Sequence, residues 1–192
     1  MIKIAILASG SGTNAEALIN HFKGNKDISI ELVLSNKENA GVLKRAKRLG
    51  VEEYSSFTRA QLESDALLNV LKAMNINLII LAGFLLKIPP ILIEAFPKRI
   101  INIHPALLPK YGGKGMYGAH VHESVIANND AFSGITIHLV NEVYDEGEIL
   151  FQDKVAITPS DTPDSLATKI HALEHEHYPV VVEKYAKQLL RM

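Results

Sequence analysis

The stretch IKIAILASGSGTN, residues 2–14, decides the fold of this 192-residue chain. Residues 2–8 form a nearly continuous apolar run rich in Ile, which predicts a strand buried on both faces of a parallel sheet. Residues 9–14 contain two glycines, and the apolar side chains of residues 14–22 then recur at helical spacing. A strand, a glycine turn and a helix in this order predict the first unit of a parallel α/β sheet.

The same alternation continues along the chain. Further strands are predicted at residues 29–34, 77–82, 99–103, 134–142 and 149–157, and further helices at 42–49, 58–74, 89–95, 119–128 and 162–190. The last helix contains Pro179, where we predict a break. The last two strands are close enough in sequence to form an antiparallel pair beyond a glycine-rich loop at residues 105–118. The expected fold is a three-layer α/β/α domain over residues 1–192, with a Rossmann-like, doubly wound, mostly parallel sheet and an antiparallel addition near the C-terminal end.

Composition excludes several classes of protein. The chain has no cysteine, which excludes disulfides, thiolate metal sites and a cysteine nucleophile. Its formal net charge of −1 gives no reason to expect a nucleic acid or a membrane as partner. No apolar run reaches the length of about 20 residues that a membrane span needs, and the first residues do not resemble a signal peptide. We therefore expect a soluble cytoplasmic protein.

The glycine turn is a candidate phosphate site, because free N–H groups at the start of a helix attract anions. Gly10, Gly12 and Ala15 also satisfy the loose dinucleotide pattern. The second strand, however, ends in SNK at residues 35–37 instead of the acidic residue that would hold a ribose. A small phosphorylated substrate is thus preferred to a nicotinamide cofactor, and a simple turn with no ligand is the alternative.

A second candidate site lies at the end of the strand at residues 99–103. Asn102 and His104 are two residues apart, so they point the same way in an extended chain. An amide donor beside an imidazole can polarise a carbonyl and move protons. Asp145 follows a later strand, and near His104 its carboxylate would raise the pKa of the imidazole. Alternatively, these are a hydrogen-bonded strand-end histidine and an ordinary turn acid.

His171 and His175 lie in an HxxEH pattern, which is also found in one class of zinc peptidases. A catalytic zinc needs a third protein ligand, and the nearest downstream candidate is Glu183. That chemistry would leave the glycine turn and the Asn102–His104 pair without a role. We therefore predict no metal, and a polar helix at the rim of the active site.

Together these segments resemble the formyltransferase family that uses 10-formyltetrahydrofolate. The resemblance covers nearly the whole chain. It is carried by ILASGSGTN (6–14), SNK (35–37), LAGFLLKI (81–88), INIHPALLPKYGG (101–113), GITIHLVNEVYDEGEIL (134–150) and ALEHEHYP (172–179).

The resemblance implies an enzyme of one-carbon metabolism and purine biosynthesis. It implies transfer of a formyl group from 10-formyltetrahydrofolate to the amine of N1-(5-phosphoribosyl)glycinamide, with no metal, small molecules as partners, and a monomer or a homodimer as the assembly. By this resemblance, Asn102 and His104 would stabilise a tetrahedral intermediate, and Asp145 would tune the protonation of His104.

The resemblance also implies binding residues. The acceptor substrate would contact Gly12, Thr13, Asn14, His171, Ala172, Leu173 and Glu174. The folate would contact Arg59, Leu85, Leu86, Lys87, Ile88, Asn102, Asn141, Glu142, Val143, Tyr144 and Asp145. Lys87 follows Leu86 where relatives often have an arginine in this segment. Either His120 or His122 would be the substrate-side histidine, with His122 preferred because Glu123 follows it.

Three other activities are open at this stage. A formyltetrahydrofolate hydrolase would use the same trio but has a regulatory domain before the catalytic one. A methionyl-tRNA formyltransferase has an RNA-binding domain after it. Because the chain starts at the first strand and ends at residue 192, we expect neither. The third alternative is a sugar-phosphate-binding module without catalysis.

Overall fold

The computed structural model describes residues 1–191, so the last residue of the predicted domain lies outside the described part. The strands are β1 (Ile2–Leu7), β2 (Ile28–Ser35), β3 (Glu53–Ser56), β4 (Leu78–Leu81), β5 (Ile100–His104), β6 (Phe132–Leu139) and β7 (Ile149–Ala156). The helices are α1 (Thr13–Phe22), α2 (Gly41–Leu49), α3 (Arg59–Leu62), α4 (Asp65–Ala73), α5 (Pro90–Ala95), α6 (Ala119–Ala127) and α7 (Pro163–Leu189).

These strands form one sheet in the order β3-β2-β1-β4-β5-β6-β7. The pairs from β3 to β5 are parallel, whereas β6 pairs antiparallel with β5 and β7 pairs antiparallel with β6. The predicted Rossmann-like sheet with an antiparallel addition is therefore confirmed. The strand order reverses between β1 and β4, and such a switch point leaves a crevice at the carboxyl ends of the strands.

Two apolar clusters cover the two faces of the sheet. Ile4 and Ile6 of β1 face one cluster with α1, α2, α6 and α7, whereas Ala5 and Leu7 face the other with α3, α4 and α5. This alternation along one buried strand produces the three layers. No helix within residues 1–191 is both long enough and apolar enough to cross a membrane.

The prediction of one helix at residues 58–74 was wrong, and β3 was not predicted. The segment holds two short helices, because Thr58 caps α3 in a capping box with Gln61 and Ser64 accepts the hydrogen bond that begins α4. β3 has the sequence EYSS and all four of its residues are exposed. An edge strand of this kind has no apolar pattern from which it could be read.

The predicted break near Pro179 is also wrong, since α7 continues through this residue. Buried residues recur along α7 at every fourth position from Leu166 to Ala186. In the middle of this stripe the Tyr178 hydroxyl lies 2.9 Å from the carbonyl oxygen of Leu81 and 3.2 Å from that of Ile101. Packing against the sheet thus outweighs the cost of the proline.

Candidate active site

A cavity of about 620 Å³ opens at the carboxyl ends of β1, β4 and β5. The segments that follow these three strands line it, together with parts of the loop at 113–118 and of the turn after β6. All three predicted sites, the glycine turn, the Asn102–His104 pair and Asp145, meet in this one cavity. Its size and mixed polar and apolar lining fit a pocket for a small organic substrate.

The glycine turn forms one end of the cavity, where Gly12, Thr13 and Asn14 line the wall. Gly12 has φ of 84°, and a Cβ there would lie 2.6 Å from the Cα of Val42, so only glycine fits. α1 begins at the next residue, and its first N–H groups therefore lie at this end of the cavity.

Glu174 of α7 lies beside this turn and accepts a hydrogen bond from the amide Nδ2 of Asn14 at 2.9 Å. Its side chain lines the cavity although the residue is only 6% exposed, and burial raises the pKa of its carboxyl. His171, one turn earlier on α7, also lines the cavity, but Ala172 and Leu173 do not.

His104 and Asp145 face each other in the wall of the cavity. The carboxylate Oδ2 of Asp145 lies 3.7 Å from Nδ1 of His104 and accepts a hydrogen bond from the N–H of Gly113 at 2.9 Å. The other ring nitrogen of His104, Nε2, lies 2.7 Å from the carbonyl oxygen of Tyr111. A carbonyl only accepts, so Nε2 carries a proton, and a second proton would go to Nδ1, towards Asp145.

Asp145 raises the pKa of His104, as expected, but the net shift of this pKa is downward. Burial lowers the pKa of His104, and the charge of Asp145 offsets this only in part. Burial likewise opposes the charge of Asp145, but His138 and His104 hold the pKa of this carboxyl below its usual value. Asp145 is therefore ionised at neutral pH, while burial disfavours a charged His104.

Asn102 is held by His138, a residue that the sequence analysis did not select. Their positions are opposite each other across β5 and β6, and the amide Nδ2 of Asn102 lies 3.1 Å from Nε2 of His138. Nδ1 of His138 lies 2.8 Å from the carbonyl oxygen of Leu139. The alternation of GITIHL along β6 could have placed His138 on the cavity face, because its position pairs with a candidate site residue.

Most of the predicted folate residues also line the cavity, and several of them are apolar. They include Leu85, Leu86, Lys87, Ile88, Asn141, Val143 and Tyr144. The Ser9 hydroxyl accepts a hydrogen bond from the N–H of Leu85 at 3.0 Å and so ties this segment to the glycine turn. The Nζ of Lys87 lies 5.6 Å from the centre of the Tyr144 ring, within range of a cation–π contact.

Two predicted folate residues are not part of the cavity wall. Arg59 has a side chain that is 75% exposed and pairs with Glu63 on its own helical turn. Glu142 is exposed and does not line the cavity either.

The two candidate substrate-side histidines differ clearly in position. His122 is 4% exposed and lines the cavity, and its Nδ1 has no hydrogen-bond partner within residues 1–191. The side chain of His120 is 65% exposed and lies 3.4 Å from Glu123. Of the two, His122 is the one that can contact a ligand in the cavity.

The HxxEH segment does not assemble a metal site with Glu183. His171 and His175 stack with ring centres 6.4 Å apart, whereas Glu183 is hydrogen-bonded to His21 at 2.7 Å and to Lys187 at 2.6 Å. Within residues 1–191 no group of three or more His, Asp or Glu side chains is arranged to hold a metal ion.

Comparisons with known proteins agree on one family. The family described as Formyl transferase matches residues 2–182. The chain is 39% identical to the chloroplastic phosphoribosylglycinamide formyltransferase of Arabidopsis thaliana, covering 98% of this chain and 67% of that protein. It is 31% identical to the phosphoribosylglycinamide formyltransferase of Escherichia coli K12, covering all of this chain and 90% of that protein.

Solved structures give the same picture. The glycinamide ribonucleotide transformylase 1 of Symbiobacterium toebii superposes with a TM-score of 0.89 at 32% identity, covering 98% of this chain and 89% of that one. The phosphoribosylglycinamide formyltransferase of Streptococcus pneumoniae superposes with a TM-score of 0.85 at 36% identity, covering 96% of this chain and 99% of that one.

Proposed function

Because the chain belongs to the formyl transferase family, we propose that it transfers the formyl group of 10-formyltetrahydrofolate to the amine of N1-(5-phosphoribosyl)glycinamide in purine biosynthesis. One observation carries the proposal: the helix-start glycine turn, the mainly apolar segment 85–88 and the trio Asn102, His104 and Asp145 all line a single cavity. The turn suits a phosphate, and the apolar side chains of segment 85–88 suit a pterin ring. A formyl donor and a phosphorylated amine would therefore meet at the trio.

In the proposed reaction the amine nitrogen attacks the formyl carbon, and the bond between this carbon and N10 of the folate breaks. A proton leaves the amine and a proton is added to N10, so the transfer is balanced without an oxidant. The formyl oxygen becomes an oxyanion in the tetrahedral intermediate. The amide of Asn102 would donate a hydrogen bond to it, and His138 would hold that amide in place.

His104 would become charged only as the oxyanion forms. Burial keeps the pKa of His104 low, and a developing negative charge nearby would favour its protonation. The proton would sit on Nδ1, the atom that faces Asp145. Asp145 would stabilise this imidazolium and help to relay the proton, through water, from the amine to N10.

The test is an absorbance assay of the purified protein with 10-formyltetrahydrofolate, with and without phosphoribosyl glycinamide. Loss of the formyl-folate signal only when the glycinamide is present would support the transferase. Loss without the glycinamide would instead identify the formyltetrahydrofolate hydrolase. A protein that binds ribose phosphate but leaves the formyl-folate intact would be the sugar-phosphate-binding module.

We further propose that residues 1–192 act as a single catalytic domain in the cytoplasm, as a monomer or homodimer. Its partners would be these small molecules, with no nucleic acid, membrane or metal. The Arabidopsis thaliana relative is named as chloroplastic, so localisation of a tagged chain would test the proposed compartment directly.

A further inference from the structure

Helix α2 packs against the outside of the glycine turn and holds two of its carbonyl groups. The N–H of Val42 donates a hydrogen bond to the carbonyl oxygen of Gly10 at 3.2 Å. The guanidinium Nε of Arg45 donates to the carbonyl oxygen of Ser11 at 2.8 Å. The two segments approach so closely that a Cβ at Gly41 would lie 2.9 Å from the same Ser11 oxygen.

These contacts set the direction of the N–H groups in the turn. In a trans peptide the C=O and the N–H point in opposite directions. Arg45 draws the carbonyl of Ser11 towards α2, so the N–H of Gly12 is turned away from α2. Ser11 and Gly12 both line the cavity, and the N–H of Gly12 has no hydrogen-bond acceptor within residues 1–191.

Arg45 is itself fixed by a second contact. Its NH1 group donates to the carboxylate of Glu16 on α1, and Arg48 donates to the other oxygen of that carboxylate at 2.5 Å. The side chains of Arg45 and Glu16 are 33% and 23% exposed, whereas that of Arg48 is 62% exposed. Arg45 thus joins α1, α2 and the glycine turn, while Arg48 has no hydrogen bond to the turn.

We propose that Arg45 is a positioning residue for recognition of the phosphorylated substrate. It does not line the cavity, and it acts by fixing the Ser11–Gly12 peptide so that the Gly12 N–H faces the phosphate. This inference rests on the proposed function, since it assigns the phosphate to the glycine turn. It goes beyond that function by giving a role to a residue outside the cavity.

The experiment compares Arg45→Ala with Arg48→Ala, which removes the same charge from the same ion-pair cluster without touching the turn. For each variant KM is measured for phosphoribosyl glycinamide and for 10-formyltetrahydrofolate, together with kcat and binding of ribose 5-phosphate. We expect Arg45→Ala to raise KM for the glycinamide and to weaken ribose 5-phosphate binding about tenfold, the scale of one lost hydrogen bond to a charged group. KM for the folate should stay unchanged, which also shows that the variant is folded.

Arg45→Lys separates geometry from charge. A lysine keeps the positive charge but lacks the planar fork that reaches the Ser11 carbonyl and Glu16 together. If KM for the glycinamide is as high in Arg45→Lys as in Arg45→Ala, the positioning role is supported. Full restoration by lysine, or an equal effect of Arg48→Ala, would overturn it in favour of a purely electrostatic contribution.

Binding of ribose 5-phosphate keeps the two proposals distinguishable. If the wild-type protein has no transferase activity, the proposed function fails, and the binding comparison still decides the role of Arg45. If wild-type protein transfers formyl groups but Arg45→Ala binds ribose 5-phosphate as tightly as wild type, only the positioning role fails.

Discussion

Substitution of Asp145 by asparagine isolates the effect of one charge in the wall of the cavity. Asparagine has nearly the same shape, and its side-chain oxygen can still accept the hydrogen bond from the N–H of Gly113. What it lacks is the negative charge that faces Nδ1 of His104 at 3.7 Å. Asp145→Asn therefore tests the electrostatic role of this carboxylate with little change in packing.

The magnitude follows from the distance and the burial. The side chains of His104 and Asp145 are 5% and 11% exposed, so solvent screens them little. At 3.7 Å and an effective dielectric constant of about 20, a charge pair interacts by about 4 kcal/mol. If most of this interaction energy is present only when His104 is charged, in the transition state, its loss lowers kcat by about 100-fold to 1000-fold.

Steady-state kinetics with both substrates, together with direct titration of the folate, would measure this effect. We expect kcat to fall while folate affinity stays within about threefold of wild type. The pKa of His104, followed by NMR, should fall further, because the charge of Asp145 opposes the effect of burial. A rise in this pKa, or parallel losses of kcat and folate affinity, would refute the electrostatic reasoning.

Three further predictions concern the glycine turn, the loss of stability at acid pH, and the hydrogen bond that the Tyr178 hydroxyl of α7 donates to the sheet. Gly12→Ala should weaken ribose 5-phosphate binding more than tenfold in a titration, because its Cβ would lie 2.6 Å from Cα of Val42 at a φ of 84°; unchanged affinity would contradict the need for glycine. Burial lowers the pKa of His122 below 6.5, so between pH 6.5 and this lower pKa the unfolded chain binds more protons than the folded chain. The stability that is present above pH 6.5 is therefore lost as the pH falls towards the folded pKa. Urea unfolding at several pH values should show that the free energy of unfolding falls with pH in the wild type and falls less in His122→Gln. An identical pH dependence in the two proteins would argue that His122 does not cause the loss. Tyr178→Phe should lower the free energy of unfolding by about 1–3 kcal/mol in urea titrations, since the hydroxyl bonds the buried carbonyl of Leu81; no change would show that this bond adds nothing.

The sequence predicted the central parallel strands well because burial on both faces leaves a direct signal. The short apolar runs at β1, β4 and β5, separated by helical segments, are typical of buried strands in a parallel sheet. β3 has no such signal, because an exposed edge strand is specified by its neighbour β2 and not by its own side chains. The course of α7 through Pro179 likewise depends on contacts with the sheet that a local pattern does not contain.

The candidate site could be predicted as a set of residues but not as an electrostatic unit. The positions of Asn102 and His104 at a strand end follow from the alternation of side chains. The net direction of the His104 pKa does not, because burial has to be weighed against a charge at a known distance. Arg45 shows the same limit, since its bond to the carbonyl of Ser11 depends on how α2 packs beside the turn.

The measurement that tests the central claim most directly follows the formyl group itself. The wild-type protein is mixed with 10-formyltetrahydrofolate labelled in the formyl carbon and with phosphoribosyl glycinamide, and the products are separated by mass spectrometry. Our account predicts that the label appears on the glycinamide amine, and that Asp145→Asn slows its appearance about 100-fold to 1000-fold. Label released as free formate, or label on the glycinamide at the same rate with Asp145→Asn, would contradict the account.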